Sequence, residues 1–303
     1  MNGRCCIASE LPYWKRNHHY HFRKTKVGKP LSFFVVHHKT AVTVGETEAH
    51  CHRCGMHFLK EEGRLANGDY YCPKCVQYGR VTTHDNIYYQ IWSGLSNYPS
   101  HPLRWDGTLS PYQSMIAKQL LHYIDGPSEV LIYAVTGSGK TQMIFPYIDE
   151  LITTGHHIAY VAPRIDVVLE IAQRLQAVFP DIVIPILYTK QHHYTLSPLV
   201  ACTIQQLIRF YHCFDVIIID EVDAYPYPHN SFLEQLVCRA LKKTGQRLYL
   251  SATLTDELEE KDIPKLTLPI RYHLQPLPCP TIYWCYGIKH WCYEKRAPYR
   301  LKK

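Results

Sequence analysis

The 303-residue chain has no apolar run long enough to span a bilayer and no secretory signal, so membrane insertion and export are disfavoured and a soluble intracellular protein is expected. Its 46% hydrophobic residues and only 15 glycines agree with that class. Eight of the twelve cysteines lack regular spacing, which disfavours a disulfide framework. Acid is missing among Lys15, Arg16, Arg23, Lys24, Lys26 and Lys29, although the whole chain carries a formal charge of only +7. Tyr20 and Phe22 interleave with this run, which leaves two readings open: a single-strand-binding segment, with charge tracking phosphates and rings stacking on bases, or a solvated tail. The surplus of 24 tyrosines and 19 histidines points to no mechanism.

What is present is sharper. The stretch AVTGSGKT, residues 134–141, is built to hold a nucleotide's phosphates. Thr136, Gly137, Ser138 and Gly139 form a turn whose backbone N–H groups face an anion, Lys140 brings a point charge to the outer phosphates, and the Thr141 hydroxyl suits magnesium. Ala134 stands where the usual pattern has its first glycine. Apolar residues 130–133 read as a buried strand before the loop, and Met143, Ile144, Ile148, Leu151 and Ile152 are spaced for one face of a helix after it. Pro146 lies early enough in that helix to bend it without ending it.

A second site follows in DVIIIDEVDAYPY, residues 215–227, where residues 216–219 form a buried strand ending in Asp220, Glu221 and Asp223. Carboxylates there face the ligand crevice of a parallel sheet. Asp220 is placed to hold magnesium and Glu221 to orient or deprotonate the attacking water, so Lys140, Asp220 and Glu221 are the candidate catalytic residues. Asp223 is expected to couple this site to its neighbours, through the hydroxyls of Ser251 and Thr253 at the end of a strand over 247–251. Strands over 157–162, 182–187 and 199–203 alternate with helices over 166–178 and 204–211, a pattern that predicts a parallel α/β sheet.

Cys51-x2-Cys54 and, 17 residues on, Cys72-x2-Cys75 have the spacing of a four-thiolate zinc site, with Gly55, Gly68 and Pro73 supplying turns. Two disulfides are the rival reading, and His50, His52 and His57 crowd the first knuckle as alternative ligands.

In their order, AVTGSGKT, the turn at 162–164, DEVD and SAT resemble the first motor lobe of superfamily 2 helicases and translocases, a RecA-like P-loop domain. That resemblance implies ATP and Mg2+ as cofactors, an adenine-reading role for Gln113 in LSPYQ, and nucleic-acid backbone contacts at Arg164 and Thr203. With the cysteine module ahead of the lobe, and with RWDGTLSPYQ, CTIQQLIRFYHCFD and DEVDAYPY along it, the chain resembles the late competence DNA-uptake ATPase family ComFA over about residues 45 to 303. This implies a cytoplasmic ATPase, peripheral at the inner face of the bacterial membrane, that drives single-stranded DNA during transformation. Implied partners are a membrane DNA channel, a phosphoribosyltransferase-like competence protein and a recombination mediator, with homo-oligomerisation open. Two alternatives stand beside it: another superfamily 2 helicase acting in replication restart or on RNA, and a non-catalytic ATP-sensing DNA-binding regulator.

The expected organisation is a basic segment at 1–45, a four-cysteine zinc (Zn2+) module at 46–80, a linker at 81–108, motor lobe 1 at 109–275, and at 276–303 a linker with the start of a truncated second lobe. About fifty residues after Thr253 are too few for a whole second lobe, which in this superfamily brings the arginine finger worth roughly a thousandfold or more in turnover.

Overall fold

The structure is a computed structural model that describes residues 5–7, 37–89, 99–189 and 196–271. The basic run from Lys15 to Lys29 and the segment 276–303 lie outside the described residues. Six short strands come first: β1 (Cys5–Ile7), β2 (His37–Thr40), β3 (Val42–Val44), β4 (Glu48–Cys51), β5 (His57–Leu59) and β6 (Asn86–Tyr89). They form two antiparallel three-stranded sheets, β1-β6-β2 and β3-β4-β5. Strand β6 falls within the stretch read as a linker at 81–108.

The main body is a seven-stranded parallel sheet of β7 (Glu129–Ala134), β8 (Ile158–Ala162), β9 (Ile186–Leu187), β10 (Leu199–Thr203), β11 (Phe214–Ile219), β12 (Leu241–Ser251) and β13 (Lys265–Leu268), ordered β13-β7-β12-β11-β8-β10-β9. Its central strands β8, β10 and β11 read as nearly unbroken apolar runs because both faces are covered. Val130, Ile132, Tyr160 and Ile218 point to one face, under α1 (Pro111–Leu121), α2 (Lys140–Met143), α3 (Phe145–Thr153) and α4 (Ile165–Val178). Leu131, Val161, Ile217 and Ile219 point to the other, under α5 (Ser231–Ala240), a 3-10 turn at Ile204–Arg209 and the cysteine module; α6 (Asp256–Glu260) is the last described helix and precedes β13.

Three elements differ from the sequence expectation. The helix after the phosphate loop is broken at Ile144, and Pro146 sits in the first turn of α3, where a missing N–H costs nothing. The strand expected at 182–187 is confined to its last two residues, and the helix expected at 204–211 is the 3-10 turn. In that turn Ile204 and Leu207 are buried three residues apart, a spacing that suits 3-10 geometry.

At the foot of the sheet, fully buried His157 donates its backbone N–H to Asp215 Oδ2 at 2.9 Å and Nδ1–H to the Cys213 carbonyl at 3.0 Å. Burial holds its pKa down at about 3, so the folded state keeps it neutral while the unfolded chain takes up a proton below about pH 6.5. Stability from this group is present above the unfolded pKa and falls as pH drops towards 3, by up to about 1.4 kcal/mol per pH unit. Urea unfolding of wild type and His157→Gln at pH 7, 6, 5 and 4 should therefore converge as the pH falls; parallel profiles would refute this.

Candidate functional site

The carboxyl ends of β7, β8, β11 and β12 surround one cavity of about 930 Å³, a volume that suits a nucleotide. Its walls include Gln113, Gly137, Lys140, Arg164, Asp220 and Glu221. The loop at 135–139 takes its shape from Gly137 and Gly139, both at φ +79°. A Cβ at Gly139 would stand 2.5 Å from Gln113 Nε2, so the close approach of the two segments needs glycine. Gln113 is buried at the third position of α1. Its Oε1 accepts from the Ser110 N–H at 2.8 Å and its Nε2 donates to the Ser138 carbonyl at 2.7 Å, so it ties the helix cap to the loop.

Lys140 donates to the Ala134 carbonyl at 3.0 Å. Burial pushes its pKa down, and the carboxylates of Asp220, Asp223 and Glu221 oppose that shift. Asp220 is buried at the end of β11; burial raises its pKa, while the Tyr160 hydroxyl at 2.6 Å, the Glu221 N–H at 2.9 Å and Lys140 favour the carboxylate. Glu221 adopts φ +50°, a left-handed conformation that a side chain rarely takes and that commonly marks a functional position. Burial and then the Asp220 charge raise the Glu221 pKa, moving it towards the range useful to a general base. Arg164 Nη1, 3.9 Å from Glu221 Oε2, opposes the shift.

Ser138 Oγ, Gln142 Oε1 and Glu221 Oε2 are buried without hydrogen-bond partners in the protein. Orphan oxygens beside a cation, a carboxylate and loop N–H groups fit a hydrated divalent ion with a polyphosphate. Thr141 lines the cavity together with Gln142 and Glu221.

The Thr253 hydroxyl donates to Asp223 Oδ2, linking the end of β12 to the acidic motif. Ser251 does not share that bond; its hydroxyl turns to the Thr253 carbonyl. Thr203 pairs in register with Ala162, so the two turns at 162–164 and 203–205 do meet at one edge of the sheet. Thr203 itself is buried, and Arg164 is half-exposed and paired with Asp166. Sequence reasoning passed over Tyr160, which an apolar strand conceals, and Arg271, which no motif marks.

In the cysteine module all four sulfurs are buried and lie within 4.8 Å of one another. Cys51 and Cys75 are 3.7 Å apart, and Cys54 and Cys72 3.6 Å. Four sulfurs at about 2.3 Å from one ion would be about 3.8 Å apart, whereas a disulfide needs about 2.05 Å. The geometry therefore fits a tetrahedral metal, and the four are free thiols rather than two disulfides. Their knuckles lean on α5: Arg239 donates to the His52 carbonyl at 3.2 Å, and Tyr78 stacks on Phe232.

Residues 106–256 match the family model described as "Type III restriction enzyme, res subunit". The chain is 37% identical over 257 residues to Competence protein ComFA of Streptococcus pneumoniae (strain ATCC BAA-255 / R6), covering 83% of this chain and 58% of that protein. It is 36% identical over 276 residues to Competence protein ComFA of Bacillus subtilis (strain 168), covering 88% and 59%. The chain thus spans less than two thirds of the length of the curated relatives it matches. Among solved structures, the DEAD-box helicase Mss116 bound to ssRNA and UDP-BeF superposes with a TM-score of 0.43 at 22% identity, covering 53% of this chain and 40% of that one.

Proposed function

The chain belongs to the ComFA family of competence proteins, and from that premise we propose that it is an ATP-hydrolysing motor lobe that acts on single-stranded DNA during uptake. The observation that carries this reading is the convergence of Lys140, Asp220 and Glu221 on one cavity at the carboxyl edge of a parallel sheet. Lys140 and the loop N–H groups bind the β and γ phosphates, Asp220 and Thr141 hold magnesium, and Glu221 orients and deprotonates the water. Magnesium bound there neutralises the charge that builds on the phosphates. Thr253 and Asp223 tie the acidic motif to β12, and Arg164, which ends the turn at 162–164 and stands 3.9 Å from Glu221, is the candidate relay from a DNA phosphate to the water-activating carboxylate.

The cysteine cluster supports structural zinc, closed by four thiolates and buried from substrate. No helix among the described residues is long and apolar enough to cross a membrane. We assign the working position to the cytoplasmic face of the membrane, with the membrane DNA channel, the phosphoribosyltransferase-like competence protein and the recombination mediator as partners, on family membership alone.

The test is ATP hydrolysis by the purified chain with and without single-stranded DNA. Stimulation of about fivefold or more is expected, the lower end of a typical coupling between sites. RNA of the same length stimulating equally would redirect the reading to an RNA-dependent motor, and turnover indifferent to both would remove the motor function.

A further inference from the structure

The sheet delivers to the phosphate loop a cation that belongs to none of the motifs. Strand β13 lies beside β7 at the sheet edge, in a register that pairs Leu268 with Ala134. The ladder continues one step past β7, where the Val135 N–H donates to the Leu268 carbonyl at 3.2 Å. Three residues beyond Leu268 comes Arg271, whose Nε donates to the Thr136 carbonyl at 3.2 Å. The guanidinium also lies in van der Waals range of a Cβ built on Gly137, with Nε at 3.5 Å and Nη2 at 3.9 Å. The loop's hydrogen bonding, rather than chance surface placement, sets where this side chain stands.

Its position relative to the other charges indicates its ligand. Lys140 faces Asp220, Asp223 and Glu221, so the magnesium and the outer phosphates belong on that flank of the loop. Arg271 lines the same cavity, on the side of Gln113 and of the loop at 136–139 to which its Nε is bonded. A nucleoside triphosphate is a linear molecule, so once its γ end is at the carboxylates its inner phosphate and sugar lie along the cavity towards Gln113 and Arg271. Among the described residues no carboxylate forms an ion pair with Arg271. With Nε engaged by the loop, the two Nη groups retain the planar donor fork that matches a phosphate.

Resting on the nucleotide reading above, we propose that Arg271 is a further nucleotide-binding residue, which pairs with the phosphate nearest the sugar and so binds ADP and ATP alike. A contact to the inner phosphate makes no distinction between the two nucleotides, whereas a contact to the γ-phosphate would favour ATP. The experiment is titration of the full chain with fluorescent ADP and ATP, with magnesium, at several salt concentrations, for wild type, Arg271→Ala, Arg271→Lys and Lys140→Ala.

The expected result for Arg271→Ala is a rise in Kd of about tenfold for both nucleotides, with a shallower salt dependence because one ionic contact is gone. Arg271→Lys should recover part of the affinity and the steeper slope. Loss of affinity with an unchanged salt slope would overturn the proposal by making Arg271 only a strut for Thr136, and loss confined to ATP would overturn it by moving the contact to the γ-phosphate. Wild-type affinity in Arg271→Ala, with binding lost in Lys140→Ala, would sink this proposal while leaving the nucleotide site intact. A wild-type chain that binds neither nucleotide would overturn both readings.

Discussion

Changing Cys54 and Cys75 together to serine should strip the chain of its metal and remove stabilisation on the order of 10 kcal/mol from the cysteine module, the scale of a structural zinc site. The module has little else to hold it. Its sheet consists of strands of three, four and three residues, and its buried apolar residues include Val42, Ala49, Phe58 and Val81. Arg53, fully buried, is held by the carbonyls of Tyr78 and Gly79 at 2.8 Å each, so melting the second knuckle would leave a buried guanidinium without those acceptors. The effect should also reach α5, because Gly55 abuts Gln235 closely: a Cβ on Gly55 would lie 2.7 Å from Gln235 Nε2. Elemental analysis should find about one zinc per wild-type chain and none in the double variant, and thermal melting should shift down by well over ten degrees. Equal melting temperatures with no metal in either protein would end the zinc assignment.

The second large effect separates binding from chemistry at the nucleotide cavity. On the reading proposed above, Lys140→Ala should raise the Kd for ATP by about 10- to 100-fold, since it would delete a half-buried ammonium assigned to the phosphates. Glu221→Gln should leave that Kd within about twofold and lower turnover by roughly 10² to 10⁴, the range attributed to a positioned acid or base. Glutamine preserves the shape of the side chain, and like glutamate it has to accept φ +50°, so the backbone cost is shared. Nucleotide titration and steady-state phosphate release together read out both effects. Wild-type affinity in Lys140→Ala would remove the phosphate-loop assignment, and undiminished turnover in Glu221→Gln would move the general base elsewhere.

The sequence made the motif-bearing strands legible because each is an apolar run that stops at a polar signature: Val130 to Tyr133 before the glycines, Val216 to Ile219 before DEVD. In a sheet covered on both faces such runs need no alternation. Less visible was β12, which begins at Leu241 and passes through Lys242, Lys243 and Gly245 before its apolar half. That polar start is kept in the sheet by tertiary contacts, among them Lys242 to Asp215 at 2.7 Å, while β11 shifts register between Phe214 and Val216. Helix α5 did leave a signal, an Asn230 cap followed by Phe232, Leu233, Leu236, Val237 and Ala240 along one face, hidden beside a conspicuous acidic motif. Candidate residues defined by spacing, such as the four cysteines, were the most readable. Those defined by where a neighbouring strand ends, Arg271 above all, depend on a register that a linear reading does not contain.

The sulfurs of the cysteine module share one buried cluster with Phe232, Leu233 and Leu236 of α5 and with Ile217 and Ile219 beneath them. A shortened protein beginning at residue 109 would keep every phosphate-binding and acidic residue yet uncover part of that apolar surface. Such a piece should self-associate or precipitate even with its nucleotide cavity intact, and its poor behaviour in solution would report the missing cover rather than a fault in the motor.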